Sequence, residues 1–135
     1  MSDRFKRHGA FSWSELMTND VAAAKKFYGE LFNWKMEEMP MSHGGTYTVV
    51  KVGDEGVGGI MDMPPNVPPG MPSFWGTYVT VDNVDETVQR AQKLGGKVMM
   101  PAMDIPNVGR MAVIQDTQGA VISVITYVDM IKNEK

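Results

Sequence analysis

The sequence predicts an α+β fold: two tandem βαβββ modules forming a cup-shaped, eight-stranded mixed sheet with helices outside. Three observations lead there. Residues 63–72 hold five prolines in ten positions, so they form neither a helix nor a central strand, and they divide the chain into near-equal halves. A gapless shift of 63 residues places Phe11 on Phe74, Val21 on Val84, Leu31 on Leu94, Val50 on Val113 and Gly56 on Gly119. Each half also runs from an alternating apolar segment into a helical one, then into β-rich segments. The identities alone are near chance, and the repeated order of elements carries the weight.

In the first half, residues 11–17 alternate as a strand. Asp20 is placed to cap a helix, in which Val21, Ala24, Phe27, Tyr28 and Leu31 recur at helical spacing. A second strand starts at Trp34. The β-branched run 46–52 is a strand, and Gly53-Asp-Glu-Gly56 turns into the last one. In the second half, residues 75–81 form a strand. Asn83 with Glu86 three residues later makes a capping-box-like start, and Val84, Val88, Ala91 and Leu94 form the buried stripe. Gly95-Gly96 stops that helix. Residues 110–115, the turn 116–119 and residues 120–127 close as a hairpin. Module one spans about 9–63, the Pro-rich linker 64–72 and module two 73–128, within one domain. A helix covers one face of each module and leaves the other bare, so two bare faces can meet as a cup.

Composition narrows the function classes. At 135 residues, with 43% hydrophobic and 21% charged residues, the chain suits one soluble globular domain. A net charge of -3 and a pI near 5.3 give no electrostatic footprint for nucleic acid. The basic run Arg4, Lys6 and Arg7 reads as a solvated tail. No apolar run approaches the ~20 residues of a membrane span, and no apolar core follows the N-terminal basic residues as in a secretory signal. A cytoplasmic protein is expected, with neither membrane nor nucleic acid as partner. Cysteine is absent, which removes disulfides, thiolate catalysis and thiolate metal sites. Phosphate-cradling loops, His-Glu-x-x-His and Gly-x-Ser-x-Gly are missing too. Gly56-Val-Gly-Gly59 leads into a strand rather than a helix, so it reads as backbone crowding and not as a phosphate site.

Phe11-Ser-Trp-Ser-Glu-Leu-Met-Thr-Asn-Asp20, running into Phe27-Tyr28-Gly-Glu-Leu31-Phe32-Asn-Trp34, resembles the opening of a module in the glyoxalase/bleomycin-resistance/dioxygenase group, the vicinal oxygen chelate superfamily. The resemblance implies the fold reached above from element order. It also implies a metal site on the cup face in the metal-dependent members. Their first ligand lies seven residues before the acidic helix cap, which is Trp13 here. The related position in the second module is Gly76. The last strand's glutamate, four residues after a turn glycine, falls on Ser123, and the same count in the first module falls on Ile60. One residue of slip there gives Gly59 or Met61. Trp, Gly, Ser and Ile do not make such a site, which wants imidazole and carboxylate ligands. His8 and His43 read as surface or loop residues. No metal and no cofactor is therefore expected.

Glu15 lies two residues after Trp13 and so shares its face. The shift pairs it with Tyr78. A carboxylate over an apolar floor can act as an acid or base, or orient a ligand's hydroxyl or amine. It can equally form a structural hydrogen bond. Glu15 and Tyr78 are the candidate catalytic pair. The candidate ligand-binding set is Trp13, Glu15, Met17, Ile60, Phe74, Gly76, Tyr78 and Ser123. Methionine is common, with 13 in the chain; Met36, Met39, Met41, Met61, Met63, Met71, Met99, Met100 and Met103 fall where the cup edge and loops are expected. The leading function is binding of a small, largely apolar molecule in the cup without a metal. The alternatives are a lyase, isomerase or hydroxylase-like enzyme using Glu15, and a structural or partner-binding protein with a filled cup. Superfamily members often dimerise, and the Pro-rich linker permits a homodimer.

Overall fold

A computed structural model describes residues 3–41, 45–63, 70–105, 107–128 and 130. His43 and linker residues 64–69 lie outside the described residues. The chain divides into two compact units, Trp13–Gly76 and Met1–Ser12 with Thr77–Lys135.

The first unit is built from β1 (Phe11–Thr18), α1 (Val21–Phe32), β2 (Lys35–Pro40), β3 (Thr46–Val52) and β4 (Glu55–Asp62). Its strands run in the order β2-β3-β4-β1, with β1 parallel to β4 and the other neighbours antiparallel. The second unit takes β5 (Phe74–Thr80), α2 (Val84–Lys93), β6 (Lys97–Ile105), β7 (Gly109–Gln115) and β8 (Val121–Tyr127), except that Phe74–Gly76 of β5 belong to the first compact unit and Phe11–Ser12 of β1 to the second. Its order is β5-β8-β7-β6, with the same mixture of one parallel and two antiparallel pairs. The α+β class, the tandem βαβββ order and the eight mixed strands are as the sequence predicts.

Local chemistry sets the element ends. Asp20 accepts a hydrogen bond from the Ala23 N–H at 3.0 Å, and Asn83 accepts from Glu86 N–H at 3.0 Å, so both helices carry the side-chain caps expected of them. α2 closes with the Gly95 N–H on the Gln92 carbonyl and the Gly96 N–H on that of Ala91; Gly95 takes φ 96°, where a side chain is strained. At the hairpin, the Asp116 carboxylate accepts from the N–H groups of Gln118 and Ala120, which fixes the turn into β8.

Each helix buries a stripe on one sheet face. Under α1, the buried Leu16, Val50 and Ile60 pack with Val21, Ala24 and Tyr28. Under α2, Val81, Val84, Ala112 and Val124 pack with Val79 and Val88. The expected stripes are too wide. Phe27 and Leu31 are 60% and 57% exposed, and Leu94 is 68% exposed as the residue just past α2. Half-wrapped helices of this length seat only their i, i+3/i+4, i+7 residues nearest the sheet.

Candidate functional site

On β1, Leu16 points under α1, so Trp13, Glu15 and Met17 lie on the opposite face. Tyr47 and Val49 of β3 share that face, because Val50 points under the helix. There the side chains form a buried hydrogen-bonded chain. The Trp13 indole Nε1–H donates to the Tyr47 hydroxyl at 3.0 Å, and that hydroxyl donates to Glu15 Oε2 at 2.6 Å. The indole can only donate, so the Tyr47 hydroxyl accepts from it and gives its own proton to the carboxyl oxygen of Glu15. Glu15 and Tyr47 are each 1% exposed. A carboxyl group this deep is costly to bury without such a donor.

Glycine makes the room. A Cβ on Gly59 would overlap the Tyr47 hydroxyl, and one on Gly56 would meet the Val49 side chain at 3.2 Å and the Trp13 ring at 3.6 Å. The Gly56-Val-Gly-Gly59 segment is crowded as expected, but partly by side chains rather than by backbone alone. At Gly58 the crowding atom is the Ser14 carbonyl oxygen. Tyr47 is the partner of Glu15 that the sequence did not reveal. It lies 32 residues from Glu15, beyond any local spacing rule, and the glycine inside a strand was the available signal.

The other expected residues fall as follows. Met17 is buried on the Glu15 face. Ile60 is fully buried and packs with Leu16 and Val50 under α1, on the face opposite Glu15. The residue beside Glu15 in register is Gly59. In the second unit, Tyr78 stands beside Ser123. Ser123 therefore corresponds to Gly59, and the gapless shift slips by one residue in the last strand. A one-residue slip reverses the face of every side chain. Tyr78 and Ser123 are buried on the face away from α2. Phe74 and Gly76 are half-buried on β5, and the Gly76 Cα side faces the Glu15 carbonyl oxygen. The methionines do not share one surface: Met36 packs under α1, whereas Met99 is exposed.

At the positions to which the family resemblance points, Gly59 rather than Ile60 lies beside Glu15 and matches Ser123. Trp13 offers an N–H already given to Tyr47, Gly76 has no side chain, and Ile60 points under the helix. Among the described residues, no three of His, Cys, Asp and Glu gather as a metal site. His8 accepts from the Asp82 N–H through Nδ1 at 3.0 Å on the surface. In the second unit, Ser12 Oγ lies 2.7 Å from both the Tyr127 and Thr80 hydroxyls. Burial pushes the Tyr127 phenol up to about 12, against the opposing Ser12 hydrogen bond.

No helix among the described residues is long and apolar enough to cross a membrane. The CFP32 protein of Mycobacterium tuberculosis, which carries a provisional glyoxylase name, is 45% identical over 117 residues, covering 86% of this chain and 45% of its own length. The anthracycline biosynthesis protein DnrV of Streptomyces peucetius is 34% identical over 127 residues, covering 86% of this chain and 46% of its own length. The chain thus spans about half the length of these relatives. The crystal structure of methylmalonyl-CoA epimerase from Mycobacterium tuberculosis superposes with a TM-score of 0.62 at 12% identity, covering 93% of this chain and 91% of that one, which is a likeness of fold alone. The family model described as Glyoxalase/Bleomycin resistance protein/Dioxygenase superfamily matches residues 10–124, and with the βαβββ repeat already in hand the chain belongs to that superfamily.

Proposed function

We propose that this protein binds a small, largely apolar molecule on the sheet face carrying Glu15, without a metal. The observation behind the reading is the Trp13–Tyr47–Glu15 chain: one oriented polar group set beside the apolar Met17 and Val49, with the Lys51–Glu37 ion pair further out on the same face. Ligand sites commonly combine an apolar lining with a few fixed polar groups. The carboxyl group meets a ligand hydroxyl or amine, and the apolar neighbours supply most of the contact. We place the protein in the cytoplasm and read it as a homodimer, which sedimentation at graded concentrations tests.

A ligand class follows from the Streptomyces relative, whose name ties it to anthracycline biosynthesis. A tetracyclic anthraquinone aglycone is therefore the first probe. Its titration is expected to move the NMR signal of the Trp13 indole N–H. Binding is expected to survive Glu15→Gln to within about tenfold, since the isosteric amide keeps an acceptor for Tyr47. A larger loss counts against sequestration and for the second reading, in which Glu15, with Tyr78, serves a lyase, isomerase or hydroxylase-like reaction as acid or base. That reading draws on the same buried, oriented carboxyl group. The metal-free part has its own check: one equivalent of Zn, Ni, Mn or Fe in untagged protein overturns it.

A further inference from the structure

We propose that a groove on the α1 face of the first unit is a second binding site, one that takes an uncharged planar aromatic ring. It lies on the opposite side of the sheet from Glu15, so the proposal stands independently of the function above. The groove encloses about 520 Å³, within the usual range for small-molecule sites. Its walls are Tyr28 and Phe32 of α1 with Trp34 and Trp75, and its floor is Ser14, Val50 and Gly58 of the sheet.

The walls form a corner. The Tyr28 and Trp34 rings lie 25° from parallel with centroids 5.9 Å apart, and Trp75 stands nearly upright to both, at 83° and 74°. A flat ring entering the corner meets one set of aromatic faces and the edges of the other, the two arrangements aromatic pairs prefer. The corner is held before any ligand arrives. The Trp75 indole N–H donates to the Tyr28 hydroxyl at 3.1 Å, and Phe32 packs on Trp34 at 4.9 Å. Because the indole is the donor, the Tyr28 hydroxyl keeps its own proton to give. Ser14 places a second hydroxyl on the floor.

The ligand's class follows from this lining. No lining residue is charged, so phosphate, carboxylate or ammonium groups gain no partner inside. A neutral ring bearing one hydrogen-bond acceptor matches Tyr28. Exposure points the same way: Phe32 and Trp75 are 53% and 40% exposed, a large apolar area to leave in water without an occupant. A second copy of the chain is the rival occupant, but a copy covers ridges, whereas these rings wall a hollow with hydroxyls at its floor.

The test follows the indole N–H signals of Trp13, Trp34 and Trp75 while 2-naphthol is added. Signals from Trp34 and Trp75 are expected to move and that of Trp13 to stay. Trp34→Ala is expected to weaken binding more than tenfold, Tyr28→Phe by roughly three- to tenfold through one lost hydrogen bond, and Ser14→Leu to block the floor. Ser14→Leu leaves the aromatic walls and the Trp75–Tyr28 hydrogen bond in place, so it decides the matter if Trp34→Ala fails to fold. Movement of Trp13 instead, or unchanged affinity in Tyr28→Phe and Ser14→Leu, overturns the site. So does movement of Trp34 and Trp75 with protein concentration alone alongside a dimer in sedimentation, which assigns the face to a second copy.

Discussion

The two βαβββ units offer the same four positions on the sheet face away from their helices and fill them in opposite ways. In the first they are Trp13, Glu15, Tyr47 and Gly59; in the same register the strands of the second carry Gly76, Tyr78, Met111 and Ser123. The large residue on the first strand of one unit is a glycine in the other, and the phenol moves from β3 to β5. Only the first set holds a carboxyl group, with glycine under the tyrosine that serves it. The scaffold is thus duplicated while the chemistry is not: one unit places a buried carboxyl group in a hydrogen-bonded chain, the other fills the same places with residues that carry none.

The sharpest way to break this contrast is to fill the glycine. Gly59→Ala forces the Tyr47 hydroxyl away from Glu15, combining overpacking with a buried carboxyl group short of a donor. We expect a loss of about 2–4 kcal/mol in urea unfolding. Ser123→Ala at the matching position is expected to cost under ~1 kcal/mol, because it removes a small hydroxyl and overlaps nothing. Equal losses at the two positions would show that the first face is not specially arranged.

In the second unit, the fold shifts the ionisation of the Tyr127 phenol. The buried Tyr127 phenol is raised from 10.0 to about 12, so its neutral form is the one the fold favours. Stability from this group is therefore fully present below pH 10 and is lost as pH rises from about 10 through about 12. The loss approaches about 2–3 kcal/mol once both states are ionised. Tyr127→Phe is expected to flatten thermal unfolding curves across that window. A slope that persists in the variant assigns the alkaline loss to another group.

How much of this was legible depended on how local its cause is. The caps Asp20 and Asn83, the strand Thr46–Val52 and the Gly95 stop were readable because each rests on neighbours within a few residues. Which side Ile60 takes was not legible, because a gapless repeat carries no information about a one-residue difference between β4 and β8, yet that difference decides the face. Phe27 and Leu31 fitted the helical period and still face out, since periodicity says which residues share a side but not how wide the covered side is. Glu15 was found by alternation along one strand. Its partner Tyr47 was not, because the bond joins two strands whose register only the folded sheet sets.

The smallest expected effect separates the units on their helical sides. In the second, the Arg110 guanidinium makes a two-pronged contact with Asp85 in the first turn of α2, at 3.1 Å for each prong, and reaches Asp104 of β6 at 3.2 Å. Those carboxylates raise the pKa of Arg110, so it stays charged throughout the range in which they are ionised. In the first unit, the Lys25–Glu38 pair at 3.3 Å ties α1 to β2. Both sites are well exposed, so solvent screening leaves little, but a forked guanidinium loses more than a point charge when replaced. Arg110→Lys is expected to cost ~0.5 kcal/mol and Lys25→Met less than that, with both differences shrinking in 1 M salt. Should Lys25→Met prove the costlier change, α1 depends on its polar edge more than its loosely covered aromatic face implies. The groove of Tyr28, Trp34 and Trp75 would then be a surface that the ion pair holds open.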